Sequence, residues 1–413
     1  MSNTLRILRI TPHLFRSGVW SAAFDPVGGM QTQVWKLTEE MDRIGISQTV
    51  LTSWIPGSTR RIQPFNSTLV ECLGVSLPQF AARRLMNFTW ALAVMWRLFT
   101  GSMRYDLIHI HYNHSIWCRA LTVIAHHMNV PVVITLNTEL WVENGYRLRL
   151  GRFDVARWIE QRAIKSSDRV IVLTDSNAAR WARELPQVGG KIVVIPDAVA
   201  IKDFAAPIDK MELDSFCRQH SIPKDSLVVG YVGRIRSEKG WEELPEITKE
   251  LFKVGAFLLI CGDGPDRRRL EMAMRNTGCP NSWRITGFLD PAEIKIALHL
   301  FDVLILPSRR EAFGSVLLEA MASGVPAVAY GVGGILEVAG VPNAIFLVPP
   351  NDRLAFKQAI LDLLRDRGQR ELLIERGRQR VADFELSSAA RRMTNVYQNL
   401  SGHTRSACPG ALT

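Results

Sequence analysis

The feature that most constrains the fold is an alternation of short β-branched runs with helical patterns, which occurs twice along the chain. The runs in the first half are Leu5 to Ile10, Gln48 to Thr52, Leu107 to His111, Val132 to Leu136, Arg169 to Leu173 and Lys191 to Ile195. Those in the second half are Leu227 to Val232, Phe257 to Cys261, Trp283 to Thr286, Val303 to Leu306 and Ala327 to Tyr330. Such alternation is typical of parallel strands joined by crossover helices. The sequence therefore predicts an α/β protein with two Rossmann-like, doubly wound parallel sheets.

A polar stretch from Ala200 to Asp225 separates the two halves. The 413 residues are too many for one ordinary core and suit two domains, because domains commonly hold ~100–200 residues. We predict a first domain over 1–200 and a second over 201–384, with a cleft between them. Helical patterns continue over 357–381 and 387–400, and the tail 401–413 is predicted to be disordered.

Composition restricts the class of partner. The formal charge of +10 favours an anionic partner, but the basic residues are spread along the chain without interleaved aromatics, so we predict no binding to nucleic acid. The six cysteines lie far apart and form no CxxC pair, which indicates reduced core residues and no metal site. No apolar signal segment or membrane-spanning run is found, and a cytoplasmic protein is expected.

One apolar segment, Leu85 to Thr100, is flanked in sequence by Arg83, Arg84 and Arg104. It is too short to span a bilayer, which takes ~20 apolar residues. Two interpretations stay open: a helix buried in the first domain, or an interfacial helix that docks on a membrane surface. Peripheral membrane contact therefore remains an alternative.

The string PSRREAFGSVLLEAMASGVPAVAYGVGG, which follows the predicted strand Val303 to Leu306, carries the strongest functional pattern. Ligands of open parallel sheets bind beyond the carboxyl ends of the strands. Ser315 is predicted to cap a helix over 316–323 that stops at Gly324. Gly314 would let a ligand approach the backbone, and the free N–H groups of the helix start suit a diphosphate.

Two carboxylates belong to the same string. Glu311 lies in the loop, where it would accept hydrogen bonds from sugar hydroxyls, and Glu319 lies about one turn into the helix, where it would hold a vicinal diol such as a ribose. The structural alternative is a pair of helix-surface glutamates beside a capping loop.

A second pattern, GYVGRIRSEKGWEEL, follows the predicted strand Leu227 to Val232. Arg234 and Lys239 leave the strand end five positions apart, so both cations would reach one anion. Such a pair would neutralise a departing diphosphate, which is the main electrostatic task in breaking a glycosyl-phosphate bond.

Glycine-containing loops follow several other predicted strands, and each would allow close approach of a nucleobase or phosphate. In the second half they are Gly262 and Gly264, the loop Gly287-Phe288-Leu289, and Gly331 to Gly334. In the first half the strand Leu5 to Ile10 runs on to His13, and Gly28 and Gly29 precede a helix. The last pair is not the GxGxxG dinucleotide fingerprint, because position 33 is not glycine.

In this order the motifs resemble the family 4 glycosyltransferases, which are retaining enzymes of the GT-B fold. The resemblance runs over nearly the whole chain. The strings LRITPHLF, FDPVGGMQTQ, GYVGRIRSEKGW and AYGVGGI are further similar to enzymes of aminoglycoside pathways that attach N-acetylglucosamine to 2-deoxystreptamine.

The resemblance implies a UDP-sugar donor, no metal or other cofactor, and a C-terminal helix (about 385–400) that returns to the first domain. Glu311 would contact the transferred sugar, Glu319 the ribose, and Arg234 with Lys239 the diphosphate. The remaining residues that it assigns to donor binding are Gly28, Gly29, Gly262, Gly264, Phe288, Phe313, Gly314, Ser315 and Val316.

Two positions depart from the family pattern. The family histidine after the strand Val132 to Leu136 is here Asn137, with Glu139 nearby, and the usual Asn-Gly after the linker strand is Asp197-Ala198. Asn137 cannot act as a general base. His109, His111 and His114 are candidates to replace that histidine, with a structural role as the alternative, and the acceptor side is assigned to His13, His111, Asn137 and Glu139.

The resulting hypothesis is front-face transfer with retention, in which the leaving phosphate accepts the proton of the acceptor hydroxyl. The acceptor is an aminocyclitol, a lipid-linked sugar or a polysaccharide. One rival is a UDP-N-acetylglucosamine 2-epimerase on the same plan, against which Asn137 argues. The other rival is a nucleotide-sugar-binding protein without turnover.

Overall fold

The computed structural model describes residues 5–15, 28–55, 58–74, 79–100, 105–111, 115–137, 149–150 and 153–402. Within these ranges only the backbone is described at 79–87, 115–116, 149–150, 153–157 and 160. The chain divides into two compact units, Met1–Pro196 with Ser387–Thr413, and Asp197–Leu386. The predictions that concern His114, Glu139 and the tail 403–413 lie outside the described residues.

The first unit is built on an eight-stranded sheet. Its strands are β1 (Arg6–Ile10), β2 (Ser47–Ser53), β3 (Arg61–Ile62), β4 (Thr68–Leu73), β5 (Leu107–His111), β6 (Val132–Leu136), β9 (Arg169–Val172) and β10 (Ile192–Val194), and β7 (Arg149–Leu150) pairs separately with β8 (Phe153–Asp154). The sheet order is β10-β9-β6-β5-β1-β2-β4-β3, and only the edge strand β3 runs antiparallel to its neighbour. The carboxyl ends of β6, β5, β1 and β2 therefore lie along one edge.

Crossover helices connect the strands of the first unit, as parallel pairing requires. They are α1 (Gly29–Arg43), α2 (Gln79–Thr100), α3 (Ser115–His127), α4 (Val155–Ser166) and α5 (Asp175–Glu184), followed by a 3-10 turn at Pro186–Lys191. Apolar strand residues such as Ile108, Val132 and Ile134 are fully buried against these helices. The predicted doubly wound architecture is confirmed for this half.

The second unit has a six-stranded sheet with all neighbouring pairs parallel. Its strands are β11 (Val228–Val232), β12 (Phe257–Cys261), β13 (Trp283–Gly287), β14 (Val303–Leu306), β15 (Ala327–Tyr330) and β16 (Phe346–Val348), in the order β13-β12-β11-β14-β15-β16. Its α-helices are α6 (Ile201–Ala205), α7 (Lys210–His220), α8 (Leu244–Lys253), α9 (Arg267–Arg275), α10 (Pro291–Leu300), α11 (Ser315–Ala322), α12 (Ile335–Ala339), α13 (Arg353–Arg365) and α14 (Arg367–Val381). The strand order reverses between β11 and β14, and such a switch point is where ligands of open α/β sheets bind.

The last helix, α15 (Leu386–Ser401), packs on the first unit. Its Tyr397 is fully buried, and the hydroxyl group lies 2.5 Å from Nδ1 of His109 and accepts a hydrogen bond from Arg9 at 3.4 Å. Arg9 also donates to Thr38 Oγ1 at 3.1 Å. These polar contacts fix the C-terminal helix to β1 and β5.

Several elements differ from the prediction. The strands β3, β4 and β16 were not predicted, because β3 and β16 are very short and β4 carries a buried carboxylate, Glu71, at a core position. That carboxylate accepts hydrogen bonds from Arg97 of α2, which explains why a charged residue is tolerated there. The polar stretch after Ala200, for which no element was predicted, contains the helices α6 and α7.

Helix α2 contains the apolar segment of the first domain, and only one of its faces is buried. Trp90, Ala91, Val94 and Leu98 are at most 5% exposed and belong to the core. A second set of apolar side chains on the helix is solvent-exposed, so the helix is buried in the first unit along one face only. No helix in the described ranges is both long and apolar enough to cross a membrane.

Candidate active site

The loops that follow β11 and β14 lie side by side, because these two strands are neighbours in the sheet. Lys239, from the first loop, places its Nζ atom 2.7 Å and 2.9 Å from the two carboxylate oxygens of Glu311, from the second. The two residues are 72 positions apart in sequence. The fold thus brings together two of the predicted functional residues as a direct ion pair.

Further polar contacts hold these two loops together. Ser308 donates from its hydroxyl to Glu311 Oε2 at 3.1 Å. The backbone N–H of Arg309 donates to the carbonyl of Glu238 at 2.9 Å, and its guanidinium lies 3.4 Å from a carboxylate oxygen of Glu242. The Lys239–Glu311 pair is therefore supported from both sides. Arg309 belongs to the motif string, but no local pattern indicates this role.

The start of the first loop is fixed from inside the sheet. Tyr231 is fully buried, and its hydroxyl donates to the carbonyl of Arg234 at 3.2 Å. Burial raises the pKa of Tyr231 far above its ordinary value, and the carboxylates of Glu311 and Glu238 raise it further. The phenol therefore stays neutral and remains a donor to the Arg234 backbone.

The helix start lies directly after this loop, at Gly314. Gly314, rather than Ser315, occupies the N-cap position, so the predicted cap is wrong by one residue. The reason is the backbone: Gly314 has φ of +93°, a left-handed conformation that favours glycine. Ser315 and Val316 are then the first residues of α11, where helix N–H groups have no intrahelical acceptor. Gly324 has φ of +72° after the helix end, as predicted.

Ser315 has a partner that the sequence did not reveal. Its hydroxyl donates to Asp197 Oδ2 at 2.6 Å, across 118 positions of sequence. Asp197 is the residue that replaces the asparagine of the family pattern. Its carboxylate is therefore held at the start of α11, where the helix dipole favours an anion.

The remaining predicted residues of the second unit fall into two groups. Glu319 lies one turn into α11 and is half-buried, and Phe288 is also half-buried after β13. Phe313, in contrast, is only 3% exposed, with its ring 5.8 Å from that of Phe384. Its side chain belongs to the core, so any contact of Phe313 with a ligand is left to its backbone.

The glycines Gly262, Gly264 and Gly333 have a packing role. A Cβ at Gly262 would collide with the carbonyl oxygen of Gly233, and one at Gly264 with that of Ile235. A Cβ at Gly333 would likewise collide with the carbonyl oxygen of Glu311. These glycines let neighbouring strand-end loops approach each other closely, and so they shape the site through the backbone.

The predicted residues of the first unit lie at the edge formed by β6, β5, β1 and β2. His13 is buried after β1, and His111, the last residue of β5, is 3% exposed. Gly28 is the N-cap of α1 and donates its N–H to the side chain of Gln31 at 2.9 Å, and Gly29 is the first residue of that helix. Asn137 directly follows β6.

Several side chains at this edge have buried polar atoms without partners. Both ring nitrogens of His111, the amide nitrogen of Asn137 and the hydroxyl of Thr52 make no hydrogen bond in the part of the chain that the structure describes. An unpaired buried polar group costs about 1–3 kcal/mol. Thr52 was not predicted as a site residue, since a threonine inside a strand gives no signal in sequence.

The neighbouring His109 is satisfied. Its ring nitrogens lie 2.5 Å from Tyr397 Oη and 2.7 Å from Thr135 Oγ1, which favours the structural role. Burial, and then the charges of His111 and Arg9, hold the pKa of His109 well below its ordinary value. Burial and Arg9 do the same to the pKa of His111. Both imidazoles are therefore neutral near pH 7.

Comparison with known families identifies the class of protein that this fold and site define. Residues 27–202 match the family described as Glycosyltransferase Family 4, and residues 214–380 match the one described as Glycosyl transferases group 1. The chain belongs to the family 4 glycosyltransferases, and it is a glycosyltransferase. The predicted resemblance is confirmed.

Two curated relatives narrow the comparison. The chain is 30% identical over 377 residues to the 2-deoxystreptamine N-acetyl-D-glucosaminyltransferase of Streptomyces fradiae, which covers 88% of this chain and 89% of the relative. It is 28% identical over 390 residues to the 2-deoxystreptamine glucosyltransferase of Streptomyces kanamyceticus, covering 91% and 100%. The predicted likeness to transferases of this kind is also confirmed.

Solved structures confirm the GT-B fold. Sucrose-phosphate synthase from Thermosynechococcus elongatus superposes with a TM-score of 0.79 at 22% identity, over 97% of this chain and 100% of that one. HepE from Anabaena, in complex with UDP-glucose, gives a TM-score of 0.70 at 17% identity, over 96% and 100%.

Proposed function

We propose that this protein is a retaining glycosyltransferase that moves a hexose or N-acetylhexosamine from a UDP-sugar to a hydroxyl of an aminocyclitol such as 2-deoxystreptamine. The observation that carries the proposal is the Lys239–Glu311 ion pair at the switch point of the second sheet, directly before the start of α11. We also propose that the protein acts in the cytoplasm.

The ion pair suggests how the donor is received. The side chain of Lys239 is 26% exposed and that of Glu311 is 11% exposed, so a ligand reaches the lysine more easily. A diphosphate carries more negative charge than a carboxylate and would draw the lysine Nζ toward itself. Glu311 would then be released to accept hydrogen bonds from hydroxyls of the transferred sugar.

The other donor contacts follow from the same geometry. The backbone N–H groups of Ser315 and Val316 and the side chain of Arg234 would complete the diphosphate site. Glu319, one turn along α11, would hold the ribose hydroxyls. The loops at Gly262, Gly264 and Phe288 would border the base, and UDP-glucose bound by a protein of this fold, HepE, supports a UDP donor.

We assign the acceptor to the polar edge of the first unit. His111, Asn137 and Thr52 offer neutral donors and acceptors that a polyhydroxylated ring would satisfy, which removes the cost of leaving them unpaired. His13, which follows β1 at the same edge, and Glu139, outside the described residues, are assigned to the same side. Both relatives named above act on 2-deoxystreptamine.

In the proposed reaction the bond between sugar C1 and the β-phosphate oxygen breaks, and a bond from C1 to the acceptor oxygen forms on the same face. The acceptor proton passes to the departing phosphate oxygen. Lys239 and Arg234 neutralise the charge that develops on the diphosphate. No residue is then required as general base, which agrees with Asn137 in place of a histidine. We propose that the reaction needs no metal or other cofactor.

The test is to incubate the enzyme with UDP-N-acetylglucosamine or UDP-glucose and 2-deoxystreptamine, and to follow products by mass spectrometry. We expect a monoglycosylated aminocyclitol, with the α configuration of the donor kept in its NMR coupling constants. A β-linked product would exclude retention. An epimerised UDP-sugar formed without acceptor would show the epimerase instead, and donor binding without transfer or hydrolysis would show an inactive binding protein.

A further inference from the structure

Helix α2 presents an apolar stripe to solvent. Phe88 is 44% exposed, Leu92 45%, Trp96 71% and Phe99 69%. The spacing of four, four and three residues places these side chains on one side of the helix, over ~16 Å of its length. Scattered apolar side chains are common on protein surfaces, but a continuous row of large ones marks an interaction site.

The rest of the helix fixes the direction in which this stripe points. Trp90, Val94 and Leu98 are buried in the core of the first unit. Arg97 donates to Glu71 of β4 at 2.7 Å and 3.3 Å, and Glu71 is only 2% exposed. Because these contacts hold the other sides of α2, the stripe cannot turn inward without breaking a buried ion pair.

The charge of the protein is concentrated in the same unit. The first unit contains 25 Lys and Arg and 13 Asp and Glu, which gives +12, whereas the second contains 25 and 27, which gives −2. The whole positive excess of +10 therefore belongs to the unit that carries the stripe. A basic unit that also exposes Trp, Phe and Leu along one helix has the combination that binds anionic lipid surfaces.

We propose that α2 docks the protein on an anionic lipid bilayer, lying parallel to the surface with Phe88, Leu92, Trp96 and Phe99 in the headgroup region. Trp and Phe suit this depth because their rings are large and apolar. The apolar side chains supply the insertion, and the basic unit supplies the attraction. This inference does not depend on the donor or the acceptor proposed above.

The test is co-sedimentation of the full chain with vesicles. Phosphatidylcholine vesicles with and without 30% phosphatidylglycerol, roughly the charge density of an anionic leaflet, would be compared at low and high salt. We expect binding only to the anionic vesicles, weakened at high salt. The double variant Trp96→Gln, Phe99→Ser should lower the partition coefficient at least ~tenfold, since two large apolar contacts are lost.

A matched control removes exposed apolar residues from the acidic unit. Met211 is 77% exposed and Leu354 75%, and the double variant Met211→Gln, Leu354→Ser should bind vesicles like the unchanged protein. Circular dichroism would verify that all variants are folded. The proposal is overturned if the unchanged protein ignores anionic vesicles, or if the α2 variant binds them equally well. It is also overturned if the stripe instead mediates self-association, seen as a dimer that the α2 variant converts to monomer, without vesicle binding.

Discussion

The polar edges of the two sheets differ in whether their polar side chains have hydrogen-bond or ion-pair partners within the protein. In the second unit the side chains at the strand ends have protein partners, as in the pairs Lys239–Glu311 and Ser315–Asp197. In the first unit His111, Asn137 and Thr52 have buried polar atoms without partners in the ranges that the structure describes. The first kind of edge holds its geometry without ligand, and the second needs a ligand or water to complete it.

This difference suggests different tasks for the two edges. Preorganised charges stabilise a transition state best, because they need no reorganisation when charge develops. Neutral polar groups without partners discriminate among ligands instead. A ligand that forms no hydrogen bonds with them binds more weakly, because the free-energy cost of the unpaired groups remains.

Lys239→Ala should have the largest effect on the reaction. It removes the cation from the proposed diphosphate site and leaves Glu311 without its ion-pair partner. We expect a loss of ~2–4 kcal/mol of transition-state stabilisation, which lowers kcat/KM by ~30- to 1000-fold. Steady-state kinetics with saturating acceptor would measure this. Lys249→Ala, an exposed lysine on α8, is the control and should leave the rate unchanged. Equal rates in both variants would remove Lys239 from the site.

His109→Leu and His111→Leu should affect stability in opposite ways. The first removes the partner of the Thr135 hydroxyl and one of the two partners of the Tyr397 hydroxyl, and it should lower the free energy of unfolding by ~2–3 kcal/mol. The second removes two unpaired nitrogens and should leave stability unchanged or raise it by ~1 kcal/mol, while the KM for the acceptor rises. Urea unfolding and acceptor titrations would measure both. Equal destabilisation by the two changes would contradict the proposed difference between the hydrogen-bonded His109 and the unpaired His111.

Stability should fall at acid pH. Burial holds the pKa of His109 and His111 below the ordinary value, so the unfolded chain binds protons there that the native chain does not. The stability of the native state is therefore complete above about pH 6.5 and is lost as the pH falls below it, by up to about 2 kcal/mol per histidine at pH 5. Unfolding of the unchanged protein and of His111→Leu at pH 7.5 and pH 5 measures this, and the variant should lose less.

Asp197→Asn should have the smallest effect. The amide oxygen can still accept from Ser315, but the negative charge beside the start of α11 is removed. Because that charge opposes a bound diphosphate, we expect the KM for the donor to fall by ~2–5-fold, equal to ~0.4–1 kcal/mol. Asp225→Asn, an exposed change in the same unit, is the control. A donor KM that rises in Asp197→Asn would show that the carboxylate assists donor binding.

The sequence predicted the general arrangement well because its patterns are local. Alternating strands and helices, and the left-handed Gly324 after α11, each depend on a few consecutive residues. The strands β3 and β16 were not predicted, because they contain too few residues to show a periodic pattern. The strand β4 was not predicted, because the charged Glu71 stands at one of its buried positions. The cap was placed at Ser315 because serine is a common N-cap, whereas the backbone of Gly314 takes that position.

In the candidate site, the motifs were enough to identify Lys239 and Glu311 as functional residues. They were not enough to predict that the two side chains are in contact. They meet only because β11 and β14 are neighbours, which is a property of the sheet order. The partner of Ser315 is 118 positions away, and no local pattern indicates it.

The amino-acid sequence by itself determined the class of fold, the positions of the strand-end loops and the charged residues within them. Each of these follows from the spacing of residues within a single helix, strand or loop. Only the tertiary structure decided which of those residues touch, which are buried without a partner, and that α2 keeps an apolar stripe in solvent. Contacts of this kind depend on strand order and packing between distant segments, and no short stretch of sequence contains that information.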